Sequence, residues 1–486
     1  MLHRVGAARP RSDPVLHVHL EPVLTDLRLS QLGSYGGLNL RIAELTLAVG
    51  FCESGAEGRK GPEQKRKNCD RDLHVLLVDG RSYNSHMNPN QIARRDLIRG
   101  AVAMTAASYS RVLGANDTVQ LGLIGAGDRG TYVMTRFQQD PKVHVAAVCD
   151  IYSEHVDKAR QKATDAKSFT DHRKLLEEKG IDAVLIATPD HWHATCAIDA
   201  LNSGHDVYVE KPLTRRIEEG PRIVKAARVN ERVCQVGMQQ RSGKHYIEAK
   251  REYIDKGRLG KITLARTWWH GNSYHLRHAP ASLATQPSNL DWARFLGPVK
   301  WRDWDPQQYY NWRAYLDFGG GQVTDLFTHW IDVVHMFLGS EIPKSSVAAG
   351  GVFAYKDGRT APDTINVLLE YPAEFTATFE ATLVPGIKGE GVELCGTEGR
   401  LLIDRKHYEF QPVGKDAKAT VVQAEDPDMT FAHVSNFLEC VKTRQRPHAD
   451  VLIGHRSAQA SHLGNIAYVE KRRIDFDPVR EEILPF

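Results

Sequence analysis

From Thr118 to Gly237 the apolar positions form short unbroken runs, and between the runs apolar residues return at helical intervals. The runs predict strands at 118–124, 143–149, 182–187, 206–209 and 233–236. An apolar run without polar alternation marks a strand buried on both faces, so the pattern predicts a doubly wound parallel α/β sheet. After Arg241 the pattern changes to a helix near 243–257, a strand at 261–269, an aromatic-rich insertion carrying Trp292, Trp301, Trp304, Tyr309, Tyr310 and Trp312, and a helix from about Gln322 to Leu338. Segments 347–355, 364–371, 374–383, 391–395 and 400–404, joined by short turns such as Y-P-A-E and G-T-E-G, predict an antiparallel sheet with one face covered by helices. Two helical stretches, about 428–442 and 454–470, close the chain. The reading is α/β followed by α+β, with one domain at 116–240 and a second, for substrate and oligomerisation, at 241–486.

Residues 1–86 neither alternate nor repeat helically, and no fold is assigned to them. Met87 then opens a segment in which Arg94 and Arg95 precede a mildly apolar, alanine-rich stretch ending in small residues near Ala115, which resembles a twin-arginine export signal. Because such a signal works at an N-terminus, the expectation is that translation starts at Met87, that 1–86 is a spurious extension, and that the protein is exported to the periplasm. Without that start the expected location is the cytoplasm.

At 486 residues the chain exceeds a single core, and 63 basic against 60 acidic side chains leave a net charge of +3. No basic block or nucleic-acid motif is present, which argues against a nucleic-acid partner. The seven cysteines contain no C-x-x-C pair and read as small core residues, and no apolar run is long enough to span a bilayer.

Chemistry enters at the ends of the predicted strands, where doubly wound sheets bind ligands. The first strand runs into G-A-G-D-R-G, Gly125 to Gly130, and a helix follows. Glycines there permit a tight turn and close approach of a pyrophosphate to a helix N-terminus. Asp150 ends the second strand, twenty residues after Gly130, where a carboxylate can hold both ribose hydroxyls and repel a 2′-phosphate. NAD is therefore the expected cofactor, with NADP as the alternative. Lys211 follows the fourth strand, where the charge of a nicotinamide ring and partial burial would favour its neutral, proton-accepting form. Three glycines, Gly319 to Gly321, precede Asp325 and His329, four apart on one helix face, so that the carboxylate would orient the imidazole as a general base. Asp332 reads as structural. His191 and His193 form an H-x-H pair, but two imidazoles without a third ligand do not make a zinc site, and no metal is expected. Trp269, Asn272, Gln240, Arg241, Trp312 and Arg313 are the candidates for stacking on or bonding a sugar, while Trp268 and His270 adjoin them.

The motifs G-x-G-x-x-G, T-P-x-x-x-H (Thr188 to His193), E-K-P (Glu210 to Pro212) and G-G-G…D-x-x-x-H (Gly319 to His329) stand in the order seen in the glucose-fructose oxidoreductase/inositol dehydrogenase/rhizopine catabolism (Gfo/Idh/MocA) family, which the chain resembles over about 118–470. The resemblance implies a Rossmann domain, an open antiparallel sheet domain through which such proteins often dimerise, a bound NAD or NADP, and oxidation or reduction of a sugar or cyclitol. It carries catalytic roles onto Lys211, Asp325 and His329. It carries cofactor contacts onto Gly125, Gly127, Asp128, Arg129, Gly130, Asp150, Thr188, Pro189, His193, Glu210 and Lys211. Asp190 stands where many members have asparagine. The leading expectation is an NAD(P)-dependent oxidoreductase acting on a secondary hydroxyl or ketone. The alternative is redox-neutral cleavage of a glycoside through a transient keto-sugar, a hydrolase or lyase with tightly held NAD, and a non-enzymatic nucleotide sensor stands third.

Overall fold

The computed structural model describes residues 118–339, 342–386 and 389–485, together with the backbone of four short strands nearer the start. The chain divides into two units, Met1–Gly100 and Ala101–Phe486. In the first, Ser34–Tyr35 pairs with Leu38–Asn39 and Leu76–Val78 with Arg81–Tyr83, both antiparallel. The twin-arginine-like segment 87–115 and the remainder of 1–86 lie outside the described residues.

In the second unit, six strands, β1 (Val119–Ile124), β2 (Val143–Cys149), β3 (Lys167–Phe169), β4 (Ala183–Ile186), β5 (Asp206–Val209) and β6 (Cys234–Val236), form one sheet in the order β6-β5-β4-β1-β2-β3. All its pairings are parallel. β3 went unpredicted because Lys167 and Ser168 are exposed at the sheet edge and break the apolar run. The strand order reverses between β1 and β4, which places the turns after these two strands on either side of a crevice. The central strands are apolar throughout because each face is covered. One face packs helix Asp190–Asn202 and Ile223, Ala226 and Ala227; the other packs Val133, Met134 and Phe137 of helix Asp128–Phe137.

A second sheet has ten strands: β7 (Ile262–His270), β8 (Ser345–Gly351), β9 (Thr364–Glu370), β10 (Thr376–Thr382), β11 (Glu390–Gly396), β12 (Gly399–Ile403), β13 (His407–Pro412), β14 (Thr420–Gln423), β15 (Ile474–Asp477) and β16 (Glu482–Ile483), in the order β14-β13-β12-β11-β7-β10-β9-β8-β15-β16. Pairings are antiparallel except β7 with β10, where the long intervening chain lets β7 enter the middle of the sheet in the parallel sense. Buried positions alternate with part-buried or exposed ones along β9 and β10, and the buried set packs on Phe327 and on Trp330, Ile331 and Val334 of helix Thr328–Leu338.

A domain limit at residue 240 misses one feature. Helix Thr430–Thr443 brings Val434, Phe437, Leu438 and Val441 back onto the first sheet's core, and helix Val451–Glu470 contributes Ala458 to that sheet's core and Ala460 to the other. A pattern read in chain order shows that these helices exist but not where they return. The aromatic insertion is likewise a small core of its own, built from Leu290, Trp292, Phe295, Leu296, Ala314, Tyr315 and Phe318 packed on Tyr152. Of the cysteines described, Cys149, Cys196, Cys234 and Cys440 are buried and Cys395 is half-buried, all as free thiols.

Candidate active site

The turn after β1 assigns each glycine its reason. Gly125 has φ +91°, and a Cβ there would lie 2.7 Å from the backbone of Ala187 and Thr188. At Gly130 a Cβ would lie 1.9 Å from the Gly125 carbonyl oxygen, so helix and turn close only over glycine. A Cβ on Gly127, by contrast, would meet no protein atom within 4 Å. Packing does not demand glycine there, and the open space is available to a ligand entering the crevice. Helix Asp128–Phe137 starts at Gly127 with no side-chain cap, leaving its first N–H groups for an anion.

The crevice opens into a cavity of about 950 Å³ that runs from Asp150, His155 and Arg294 at one end, past Gly127, Arg129, Thr188 and Glu210, to Lys211, Asp325 and His329 at the other. Thr188 Oγ1 is buried, faces this wall and has no hydrogen-bond partner among the described residues. With the empty cradle at Gly127 and the uncapped helix, this orphaned hydroxyl fits the chain to a dinucleotide. Asp150 accepts hydrogen bonds from Ala126 N–H at 2.7 Å and Tyr152 N–H at 3.0 Å, which fixes its carboxylate at the cavity edge. His155 lies 3.4 Å from the same carboxylate; burial opposes its protonation, but Asp150 raises its pKa above the ordinary imidazole value. Arg129 donates to Glu210 at 2.9 Å across the crevice, and Asp128 is exposed at its rim, 3.4 Å from Arg277. Pro189 lines the wall, and His193 ties two turns together, its ring nitrogens against the carbonyl oxygens of Pro212 at 2.7 Å and Thr188 at 2.9 Å. His191 is spent in the same way on the Phe295 carbonyl at 2.7 Å, and no metal-ligating cluster of three occurs among the described residues.

Lys211 reaches the second domain. Its ammonium donates to the Asp325 carbonyl at 2.6 Å and to Asp325 Oδ1 at 2.5 Å, while His275 Nε2 lies 2.8 Å from Asp325 Oδ2 and Arg313 lies 3.6 Å away. Burial works against the Asp325 charge, but Lys211, Arg313 and His275 together hold its carboxyl well below the usual carboxylate range.

This geometry corrects the expected Asp325–His329 pair. Residues Val323–Phe327 form a turn of π-helix, which widens the spacing, and Asp325 spends its oxygens on Lys211 and His275 instead of orienting His329. His329 Nδ1 lies 3.2 Å from Gln240 Oε1, so the amide accepts from Nδ1–H and leaves Nε2 as the acceptor nitrogen. Burial, with Lys211 and Arg405 nearby, pushes His329 well below the usual imidazole pKa, and the ring is neutral.

Gln240 therefore stands behind His329 and not against the cavity. Arg241 also moves out of the substrate set: it is buried and donates through Nε to both Asp332 oxygens at 2.9 Å. Asp332 completes that ion pair, and Trp268 is buried. Trp269, Asn272, Trp312 and Arg313 do line the cavity. Sequence reasoning missed Arg277 and Arg405, which reach the wall from an irregular stretch and a turn between two strands, and His275, which is buried behind the wall against Asp325; no periodicity marks any of them. It also noted Asp190 only as a departure from asparagine. Asp190 is buried in the cavity wall, and a Cβ on Gly319 would lie 3.2 Å from its Oδ2. Burial and the nearby Asp325 raise its pKa to about 7.

Comparison with known proteins bears on the two domains. Residues 119–238 match the family described as "Oxidoreductase family, NAD-binding Rossmann fold", and 295–402 match the "GFO/IDH/MocA C-terminal domain". The chain is similar to inositol 2-dehydrogenase of Salmonella typhimurium, 31% identical over 166 residues, which is 34% of this chain and 48% of that protein, so the match spans about half of that relative's length. It is also similar to alpha-N-acetylgalactosaminidase of Shewanella oneidensis, 35% identical over 127 residues, 24% of this chain and 28% of that protein. The fold is that of levoglucosan dehydrogenase, solved in complex with NADH, with a TM-score of 0.60 at 18% identity over 74% of this chain and 99% of that one.

Proposed function

We propose, from the premise that this chain belongs to the GFO/IDH/MocA oxidoreductase family in both its NAD-binding and its C-terminal domain, that it is an NAD-dependent oxidoreductase acting on a secondary hydroxyl or ketone of a sugar or cyclitol. The observation that carries the reading is the Lys211–Asp325–His275 relay beside a neutral His329, at the end of a crevice whose other walls fit a dinucleotide. Bound NAD would supply the two-electron acceptor for the carbinol carbon. His329 Nε2 takes the hydroxyl proton, since Gln240 holds the opposite nitrogen. Lys211 gives two N–H groups to Asp325, and its remaining N–H donates to the substrate oxygen as negative charge develops there. In the reducing direction the same groups return the proton. Asp150 favours the unphosphorylated ribose. The reading is tested by incubating the purified full chain with NAD or NADP and a panel of sugars and cyclitols: NADH should form with at least one of them, with NAD preferred. No reduction of either nucleotide across the panel, while the protein binds NAD, would remove it.

The second reading is redox-neutral glycoside cleavage with a retained nucleotide. The aromatic insertion favours it, because its backbone crosses to the first sheet. Ser153 N–H donates to the Asn289 carbonyl at 3.2 Å, Asp291 N–H to the Ile151 carbonyl at 3.0 Å, Trp192 Nε1 to the Phe295 carbonyl at 3.0 Å, and Arg294 to the Thr170 carbonyl at 2.7 Å. Such anchoring along the crevice hinders exchange of a bound dinucleotide. Nucleotide absorbance that survives dialysis, with release of a nitrophenol from a nitrophenyl glycoside and no NADH accumulation, would select this reading over the first.

A further inference from the structure

Two guanidinium groups in the wall of the reaction end hold no hydrogen bond to any described residue. Arg313 lies over Trp312, 4.1 Å from the ring centroid, and over Tyr274 at 4.9 Å; Arg277 in turn lies 4.7 Å from Tyr274 and 4.4 Å from Tyr310. The carboxylate in ion-pair distance of Arg313 is Asp325, at 3.6 Å and already committed to Lys211 and His275. Arg405 lies over Trp269 at 5.0 Å, and the Trp269 ring is 6.2 Å from that of His329. Its Nε is buried without a partner, and Glu390 Oε1, at 3.8 Å, is beyond hydrogen-bond distance.

In both cases aromatic rings lie against the guanidinium, and its N–H groups make no hydrogen bond to a described residue. An arginine held by its faces presents paired, coplanar donors, which match the two oxygens of a carboxylate. Of the other cations in the cavity wall, Arg129 is paired with Glu210, Lys211 with Asp325, and Arg277 donates to the Tyr310 hydroxyl at 2.8 Å. Asp325 stays an anion beside Arg313, but it is shared with Lys211 and His275, whereas burial raises the pKa of both Asp190 and Glu390 and weakens them as anions.

We propose that the substrate is an acidic sugar, a uronic acid or a glycoside of one, whose carboxylate is bound by the N–H edges of Arg313 and Arg405 while the ring stacks among Trp269 and Trp312. The assignment rests on the sugar-oxidoreductase reading above and narrows it. A neutral sugar or cyclitol would leave these donors desolvated and unpaired, which a site does not tolerate cheaply.

The test is equilibrium binding to the full chain in the presence of NAD, followed by calorimetry, with D-glucuronate against D-glucose and D-galacturonate against D-galactose. The acid of at least one pair should bind about tenfold tighter or better than its neutral parent, and Arg313→Met and Arg405→Met should each reduce that ratio by about fivefold or more. If either variant does not fold, Arg313→Lys or Arg405→Lys replaces it; the charge remains but the paired geometry is lost, and the ratio should still fall. Equal binding of acid and parent in both pairs, including binding of neither, overturns the inference, as does a preference that survives both substitutions. The two readings fail separately. Tight binding of a uronate without reduction of NAD removes the oxidoreductase reading and leaves this one, whereas reduction of NAD by sugars bound without regard to charge does the reverse.

Discussion

Gly127 and Gly130 stand three residues apart in one turn and answer to different neighbours. Gly130→Ala would drive a methyl group into the Gly125 carbonyl and is expected to abolish soluble folded protein or lower its Tm sharply. Gly127→Ala has room in the protein and should leave the Tm without nucleotide within about 2 °C, while weakening NAD binding by roughly tenfold or more. Thermal denaturation with and without NAD separates the two. Asp190 makes a second residue-scale case. Its folded pKa, about 7, lies above the ordinary carboxylate value, so the folded state binds this proton more tightly than the unfolded chain. Stability from this group is therefore full at acid pH and is lost as pH rises towards 7 and the carboxyl must ionise in place. Asp190→Asn removes that loss: the variant should match the parent near pH 4 and exceed it in Tm at pH 8. A Tm difference independent of pH would contradict the assignment.

At the scale of elements, the π-helical turn Val323–Phe327 decides the chemistry of the helix that follows it. It sends Asp325 to Lys211 across the domain boundary, so carboxylate and ammonium act as one unit. Asp325→Asn should accordingly resemble Lys211→Met, each lowering kcat by about a hundredfold or more, and should not be the milder change. Asp325→Asn also leaves a part-buried ammonium without its counter-ion and should destabilise the protein by about 3 kcal/mol. His329→Ala should lower kcat on a similar scale with NAD affinity retained, measurable by nucleotide titration. Because His329 is held neutral, activity limited by this ring should persist as pH falls below about 6.5, the ordinary imidazole value. The glycine turn was legible in the sequence because strand, turn and helix adjoin in the chain. The partner of Asp325 was not: an i,i+4 rule assumes a regular α-helix, and Lys211 lies 114 residues away.

At the scale of the whole molecule, the apolar clusters among the described residues lie entirely between Val119 and Ile483. Protein beginning at residue 116 keeps every one of these clusters and is expected to unfold in a single cooperative transition, which calorimetry would check. Local pattern by itself determined five of the six strands of the first sheet and their parallel sense, the long helices, and that Gly125–Gly130, Asp150, Lys211 and His329 are chemical candidates, because each of those properties is written in residues next to one another. Only tertiary structure decided that Arg241 belongs to Asp332, that Gln240 sets the tautomer of His329, that His275 holds Asp325, and that Arg313 and Arg405 line the same cavity. Those choices depend on which buried charges and donors find each other once distant segments pack, and a side chain's nearest partner in space leaves no mark on the spacing of its neighbours in the chain.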